Sequence, residues 1–129
     1  MKFTVSIILM CVIFNQNTDS LTNTKWICTV SNSCIDTLTF IKNNRANNYS
    51  CELNYTSKGH YKRFKNIVVL TEKDDSHDED GGKTVFFRTK FILKENNLFP
   101  ISSEELVNGK WKEAKMQKNK DYVFRKIAK

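Results

Sequence analysis

The sequence predicts an all-β domain, an up-and-down antiparallel barrel of about eight strands with one short helical turn near residues 103–107. Three observations predict it. Short β-prone runs recur about every ten residues and are parted by Asn, Asp and Gly clusters. Several runs alternate apolar and polar residues with a period of two. With one Pro and four Gly, the chain has no low-complexity tract and no repeat at solenoid spacing, so the spaced runs read as a meander closed into a barrel or sandwich.

Residues 1–20 stand apart from that pattern. Met1-Lys2 opens an apolar run from Phe3 to Phe14, and a polar stretch ends in Thr18-Asp19-Ser20. A basic start, a short apolar core and a small-residue exit form a secretory signal, predicted to be cut before Leu21. The run is shorter than the roughly 20 residues a membrane-spanning helix needs. The domain is therefore expected over residues 21–129, in a secreted, periplasmic or cell-envelope setting.

The first run, residues 24–30, sets Trp26 and Cys28 on one face. In residues 35–41, Leu38 and Phe40 share a face opposite Thr37 and Thr39. A polar turn is expected at 43–48. Residues 49–55 follow, with Tyr49, Cys51, Leu53 and Tyr55 in phase. Residues 58–64 and 66–73 come next, the latter holding Ile67-Val68-Val69-Leu70. The acidic segment 74–82 reverses the chain. The strand 84–94 then shows Val85, Phe87, Thr89, Phe91 and Leu93 on one face.

Glu95-Asn96-Asn97 reads as a hairpin turn, and 98–101 as a return strand whose Pro100 marks an edge or end. Ser102 with Glu105 three residues on matches a capping box, so a helical turn is predicted at 103–107. Asn108-Gly109 would end it, although the same dipeptide is a strong hairpin signal. Residues 122–127 read as the closing strand. Closure removes the two exposed edges that an open sheet of this size would carry.

The formal charge is +7, and residues 21–129 keep it because the signal carries one Lys and one Asp, Lys2 and Asp19. Five acids sit in the 74–82 segment, so the remaining body is more cationic still. The segment 110–129 is rich in Lys and Arg, with Trp111, Tyr122 and Phe124 interleaved. Such a mixture favours an anionic surface. An exported barrel has little occasion to meet nucleic acid, and a monomer is expected.

Chemistry-bearing motifs are few. The carboxylates of 74–82 invite Ca²⁺, but EF-hand spacing fails because Phe87 stands where a Glu is needed. His60 and His77 are the only histidines, and no Gly-x-Ser-x-Gly, His-Glu-x-x-His or phosphate loop occurs. The expectation is a protein with no catalytic residues, no cofactor and no bound metal. Asn48-Tyr49-Ser50 and Asn54-Tyr55-Thr56 match glycosylation acceptors.

Thr24-Lys25-Trp26, then Cys34-Ile35-Asp36-Thr37-Leu38-Thr39-Phe40, Cys51 and Gly59-His60-Tyr61 resemble, in order and spacing, small lipocalin-like domains of bacterial envelope proteins. The likeness spans residues 21–98. It implies an up-and-down barrel and, with the hairpin geometry, a Cys34–Cys51 disulfide, leaving Cys28 free. Cys28–Cys34 is the other pairing. A bridge closing about 17 residues stabilises by roughly 3 kcal/mol in the chain-entropy picture. The Trp, Cys and Asp-Thr-Leu-Thr pattern is also similar to copper-resistance envelope lipoproteins, though a Cys-x-x-Cys and a lipidation site are missing. In that alternative Cys28, Cys34 and Cys51 would hold a soft metal.

The main functional expectation is non-catalytic binding of a small apolar ligand inside the barrel. Trp26, Phe40, Tyr49, Tyr55, Tyr61, Phe87 and Phe91 are the candidate lining, by face and aromatic character. The alternative is a filled barrel serving as a structural or surface-interaction module. Intact-mass measurement of the exported protein is expected to show a mature chain beginning at Leu21; a chain retaining Met1–Ser20 would refute the signal assignment.

Overall fold

The computed structural model describes residues 21–75, 84–116 and 121–127. The predicted signal and most of the acidic segment, including His77, lie outside the described residues. Within them the chain forms nine strands and no helix. These are β1 (Thr24–Ser31), β2 (Cys34–Ile41), β3 (Arg45–Ser50), β4 (Tyr55–Phe64), β5 (Ile67–Asp74), β6 (Val85–Lys94), β7 (Asn97–Val107), β8 (Lys110–Glu113) and β9 (Phe124–Lys126). All pairings are antiparallel. β1 to β7 run as a meander, and β9 bonds both β7 and β1, which closes an eight-stranded barrel. β8 folds back on β7 as a ninth strand outside the closed ring.

The alternation read from sequence fixes the inner face of most strands. Trp26 and Cys28 of β1, Leu38 and Phe40 of β2, Tyr61 of β4, Val68 and Leu70 of β5, Phe91 of β6, Leu98 of β7 and Phe124 of β9 are all buried. Leu21 and Ala46 complete this core. The connections after β2, β4 and β6 are tight turns that carry positive-φ residues, Asn43, Asn44, Lys65 and Glu95. Asn enters this backbone region most readily, so Lys65 and Glu95 sit there at some cost. The apolar floor lies at this closed end. The opposite, open end holds the connections after β1, β3 and β5.

Three expectations are corrected. The polar turn predicted at 43–48 is mostly strand: β3 begins at Arg45, and Cys51 to Asn54 form the next turn, with Asn54 at φ 47°. β3 is flanked by β2 and β4, so its backbone groups are paired on both sides despite its low β propensity. One consequence is that Tyr49 pairs with Thr37 and Thr56 and faces outward, not into the barrel. Its hydroxyl donates to the Asn54 Oδ1, 3.2 Å away.

The helical turn predicted at 103–107 is also absent; these residues continue β7 to Val107. The Asn108-Gly109 hairpin signal prevails over the capping box. Both residues take positive φ, 51° and 76°, as a two-residue hairpin turn with matched twist requires. Ser103 and Glu105 pair with Thr89 and Phe87 of β6. On the outer face Arg88 donates twice to the Glu104 carboxylate, at 3.1 and 3.0 Å. Trp111 of β8 covers that guanidinium, 4.3 Å from its ring centre. Pro100 falls within β7 beside a register shift, on a stretch that β9 does not reach, so its missing N–H leaves no partner unpaired.

Gly59 marks the closest strand approach. A Cβ built there would meet the backbone of β5, 3.1 Å from the Thr71 carbonyl carbon and 3.2 Å from the Glu72 Cα, and nearer still to the Thr71 oxygen. Backbone cannot give way as a flexible side-chain tip can. Gly59→Ala is expected to destabilise by about 1–3 kcal/mol, the usual cost of overpacking. Urea unfolding checks this, and unchanged stability would mean that β4 and β5 separate freely here.

Candidate functional site

Above the apolar floor the barrel interior turns polar. Asp36, Asn48, Ser57, Glu72, Thr89 and Ser103 occupy inner-face positions in phase with the core residues below them, as the strand pairings fix. A cavity of about 750 Å³ opens here to one side. Its lining includes Asp36, Asn48, Ser50, Thr89, Ser103 and Tyr122, with Phe91 and Phe124 as its apolar wall. Glu52 and Asp121 add carboxylates, and no Lys or Arg lines it among the described residues.

Two hydrogen-bonded groups organise this space. The first centres on Asp36, which is 7% exposed. Its Oδ1 accepts the Cys51 backbone N–H at 2.9 Å, and its Oδ2 accepts the Tyr122 hydroxyl at 2.8 Å. Burial, and then the Asp36 carboxylate, push the Tyr122 hydroxyl well above its ordinary range, so it stays protonated as a donor. Asp36 thereby ties the open end of β2 to the turn after β3 and to the segment entering β9.

The second group centres on Glu72. Its Oε1 accepts from Asn48 Nδ2 at 2.8 Å, and its Oε2 from the Ser57 hydroxyl at 3.2 Å. Enclosure of the carboxylate raises its pKa, Asp74 adds to the rise, and the two hydrogen bonds only partly oppose it. Asn48, one of the two glycosylation acceptors, is thus committed to the interior, whereas Asn54 is exposed in the turn.

Cys34 and Cys51 are joined by a disulfide, with Cα atoms 5.4 Å apart. The alternative Cys28–Cys34 pairing is overturned. Cys28 is a free, fully buried thiol beside Asp36 across the β1–β2 ladder. Burial first, and then the Asp36 carboxylate, raise its pKa, which keeps it a thiol. Cys34, Asp36 and Cys51 converge within 4.8 Å of one another. The two sulfurs are bonded to each other, however, so this cluster offers no thiolate pair to a soft metal. A disulfide is compatible with an oxidising, extracytoplasmic compartment.

The predicted lining residues divide. Phe91 lines the cavity. Trp26, Phe40 and Tyr61 do not line it and are packed in the core toward the closed end. Trp26 Nε1 donates to Thr24 Oγ1 at 2.8 Å, and Phe40 and Tyr61 meet edge to face at 4.8 Å. Tyr55 and Phe87 are half-buried on the inner face near the open rim. The Tyr55 hydroxyl accepts the Asp75 backbone N–H at 3.0 Å. Tyr49 lies outside, as noted above. Of the tail aromatics, Phe124 is buried, Tyr122 is turned to Asp36 and Trp111 lies on Arg88, so none stands free beside the tail cations.

Of the polar residues of the cup at this open end, the sequence reading placed Thr89 on the inner face with Phe87 and Phe91 and named no others as lining. A usable signal existed for Asp36, Glu72 and Thr89, which fall in phase with Leu38, Leu70 and Phe91 and so had to point inward. Ser57 is likewise in phase with Tyr55 and Tyr61, whereas the run Arg45–Asn48 carries no large apolar residue to mark the phase of Asn48.

The raised Glu72 pKa fixes a pH dependence. Between the unfolded and folded pKa values the unfolded chain is ionised while the folded chain holds the proton. Stability from this group is therefore fully present below the unfolded value and falls as pH rises through the folded one. Glu72→Gln keeps the hydrogen-bonding shape and is expected to flatten this fall. Urea unfolding of both proteins between acid and neutral pH tests it, and parallel pH profiles would rule it out. In comparisons with known proteins, no family model, curated protein or solved structure matches the chain.

Proposed function

We propose that this protein is an exported, monomeric, non-catalytic binding protein of lipocalin-like kind, which takes a small amphipathic ligand into the open end of its barrel. The observation carrying this reading is the cavity of about 750 Å³, a size suited to a small molecule, with an aromatic wall and a polar, carboxylate-bearing side. The ligand class differs from the wholly apolar one expected from sequence. The large aromatics Trp26, Phe40 and Tyr61 are used up in packing, and the free space is lined by polar and apolar groups in comparable measure.

The charge of the lining narrows the ligand further. Asp36, Glu52 and Asp121 stand around the cavity without a lining cation among the described residues. An apolar body against Phe91 and Phe124, with a cationic or hydrogen-bond-donating head toward the carboxylates, matches that surface. An anionic ligand would meet like charge in a partly desolvated space. A copper-sensing role has less support, because Cys28 is the one free thiol among the described residues.

Phenethylamine and 3-phenylpropionate have similar size and opposite charge. The amine is expected to raise the melting temperature in a concentration-dependent way, and the acid is not. Ser103→Trp, which fills the cavity from β7, is expected to abolish the effect. Equal responses to both probes, or no response together with native mass spectra free of any retained molecule, would refute the reading.

A further inference from the structure

The closed end of the barrel is chemically opposite to the open one. Lys25, Lys42, Arg45, Lys62, Arg63, Lys65, Lys94, Arg125 and Lys126 are all exposed around it. The one acid at this end among the described residues is Glu95. The β4–β5 turn reaches beyond β3 there and lies level with the β6–β7 turn. β3 ends its pairing with β4 at His60, whereas β4 continues on β5 to Phe64. The Leu93 N–H donates to the Asn66 carbonyl at 2.7 Å, which sets Lys94 of β6 beside the tip.

Phe64 at this tip is 74% exposed, the most exposed large apolar side chain among the described residues. It is not an isolated surface aromatic. Phe64 pairs with Ile67, and Ile67 with Ile92, so the three form one apolar row on the outer face across β4, β5 and β6. The next row is Lys62, Val69 and Lys90. On the tip side stand Lys65, whose Nζ lies 5.8 Å from the Phe64 ring centre, and Lys94. An apolar row is thus bracketed by cations on both sides.

We propose that this face docks on an anionic lipid bilayer surface, with Phe64 entering the headgroup region. An exposed aromatic at a hairpin turn, flanked by long cationic side chains, suits an interface that is apolar below and negatively charged above. The Lys stems extend along the apolar layer while their ammonium groups stay at headgroup level. A nucleic acid would call for several aromatic stacking platforms, and the row here holds one aromatic, Phe64, beside Ile67 and Ile92. The site is separate from the cup and does not depend on what the cup binds.

The test is cosedimentation of the full exported protein, disulfide intact, with phosphatidylcholine vesicles with and without phosphatidylserine. Binding is expected only with phosphatidylserine and is expected to weaken as salt rises. Lys62→Gln with Lys94→Gln should weaken it about 25-fold, at about fivefold per cation. Phe64→Ser should weaken it further, and Phe64→Trp should strengthen it, a gain that misfolding cannot mimic. Lys112→Gln with Lys115→Gln, in the tail, should leave it unchanged. Three results would each overturn the proposal: wild-type binding by Phe64→Ser, equal loss in the tail variant, or retention on heparin with no vesicle binding.

Discussion

Everything in this barrel depends on how it is closed. Seven strands follow one another as a meander, but β7 does not return to β1 by itself. The gap is bridged by β9, a strand of three residues, bonded through Leu98 and Asn97 on one side and Trp26 and Ile27 on the other. So short a strand contributes few ladder bonds, and side chains must hold it. Phe124 is buried against Phe91, with ring centres 6.1 Å apart. Two residues earlier, Tyr122 hydrogen-bonds Asp36. Without this bridge β1 and β7 would become open edges, each a template for pairing with another chain.

The same Asp36 explains how the polar half of the interior holds its shape. The large inward-facing apolar side chains are gathered at one end of the barrel. That end contains Trp26, Phe40, Tyr61, Leu38, Leu70 and Phe124. Toward the open end, apolar packing gives way to covalent and polar links. The Cys34–Cys51 bridge spans the ends of the β2–β3 hairpin, and Asp36 beside it bonds both the following turn and the closing segment. Glu72 performs a similar task between β3, β4 and β5 through Asn48 and Ser57. The polar groups thus hold the wall in place while leaving space between them.

Much of this was legible in the sequence, for a physical reason. Strands whose inner residues are large and apolar, such as β1, β2, β5 and β6, declare both their span and their face, because burial demands a strict period of two. β3 and the second half of β7 do not. Arg45-Ala46-Asn47-Asn48 and Ser102-Ser103-Glu104-Glu105 look like a turn and a helix start when judged alone. They become strands because neighbours on either side supply their hydrogen bonds and because Glu72 and Arg88 receive their polar side chains. That information lies in the strand pairings and in side-chain partners 24 and 16 residues away, Glu72 for Asn48 and Arg88 for Glu104. The misplaced β3 alone turned Tyr49 inward on paper and hid Asn48, so one register error removed part of the cup from view. The disulfide was accessible because it depends on a hairpin, a local object, and not on closure.

The two ends of the molecule are therefore built from different materials, and their charges follow. Inner carboxylates, tolerated because each is hydrogen-bonded, gather where apolar filling runs out. Cations collect at the tight turns of the closed end, above a packed apolar core. The barrel is electrically polarised along its axis as a result, and that field orients any charged surface or solute it meets. A small cation is drawn to the open end. An anionic surface is drawn to the closed end and meets Phe64 first. These two attractions do not compete, since they act on opposite poles, and a barrel seated on its closed end would hold its cup toward solution. The division arises from placement: large apolar side chains point inward at one end, and an aspartate, a glutamate and one disulfide link the strands at the other.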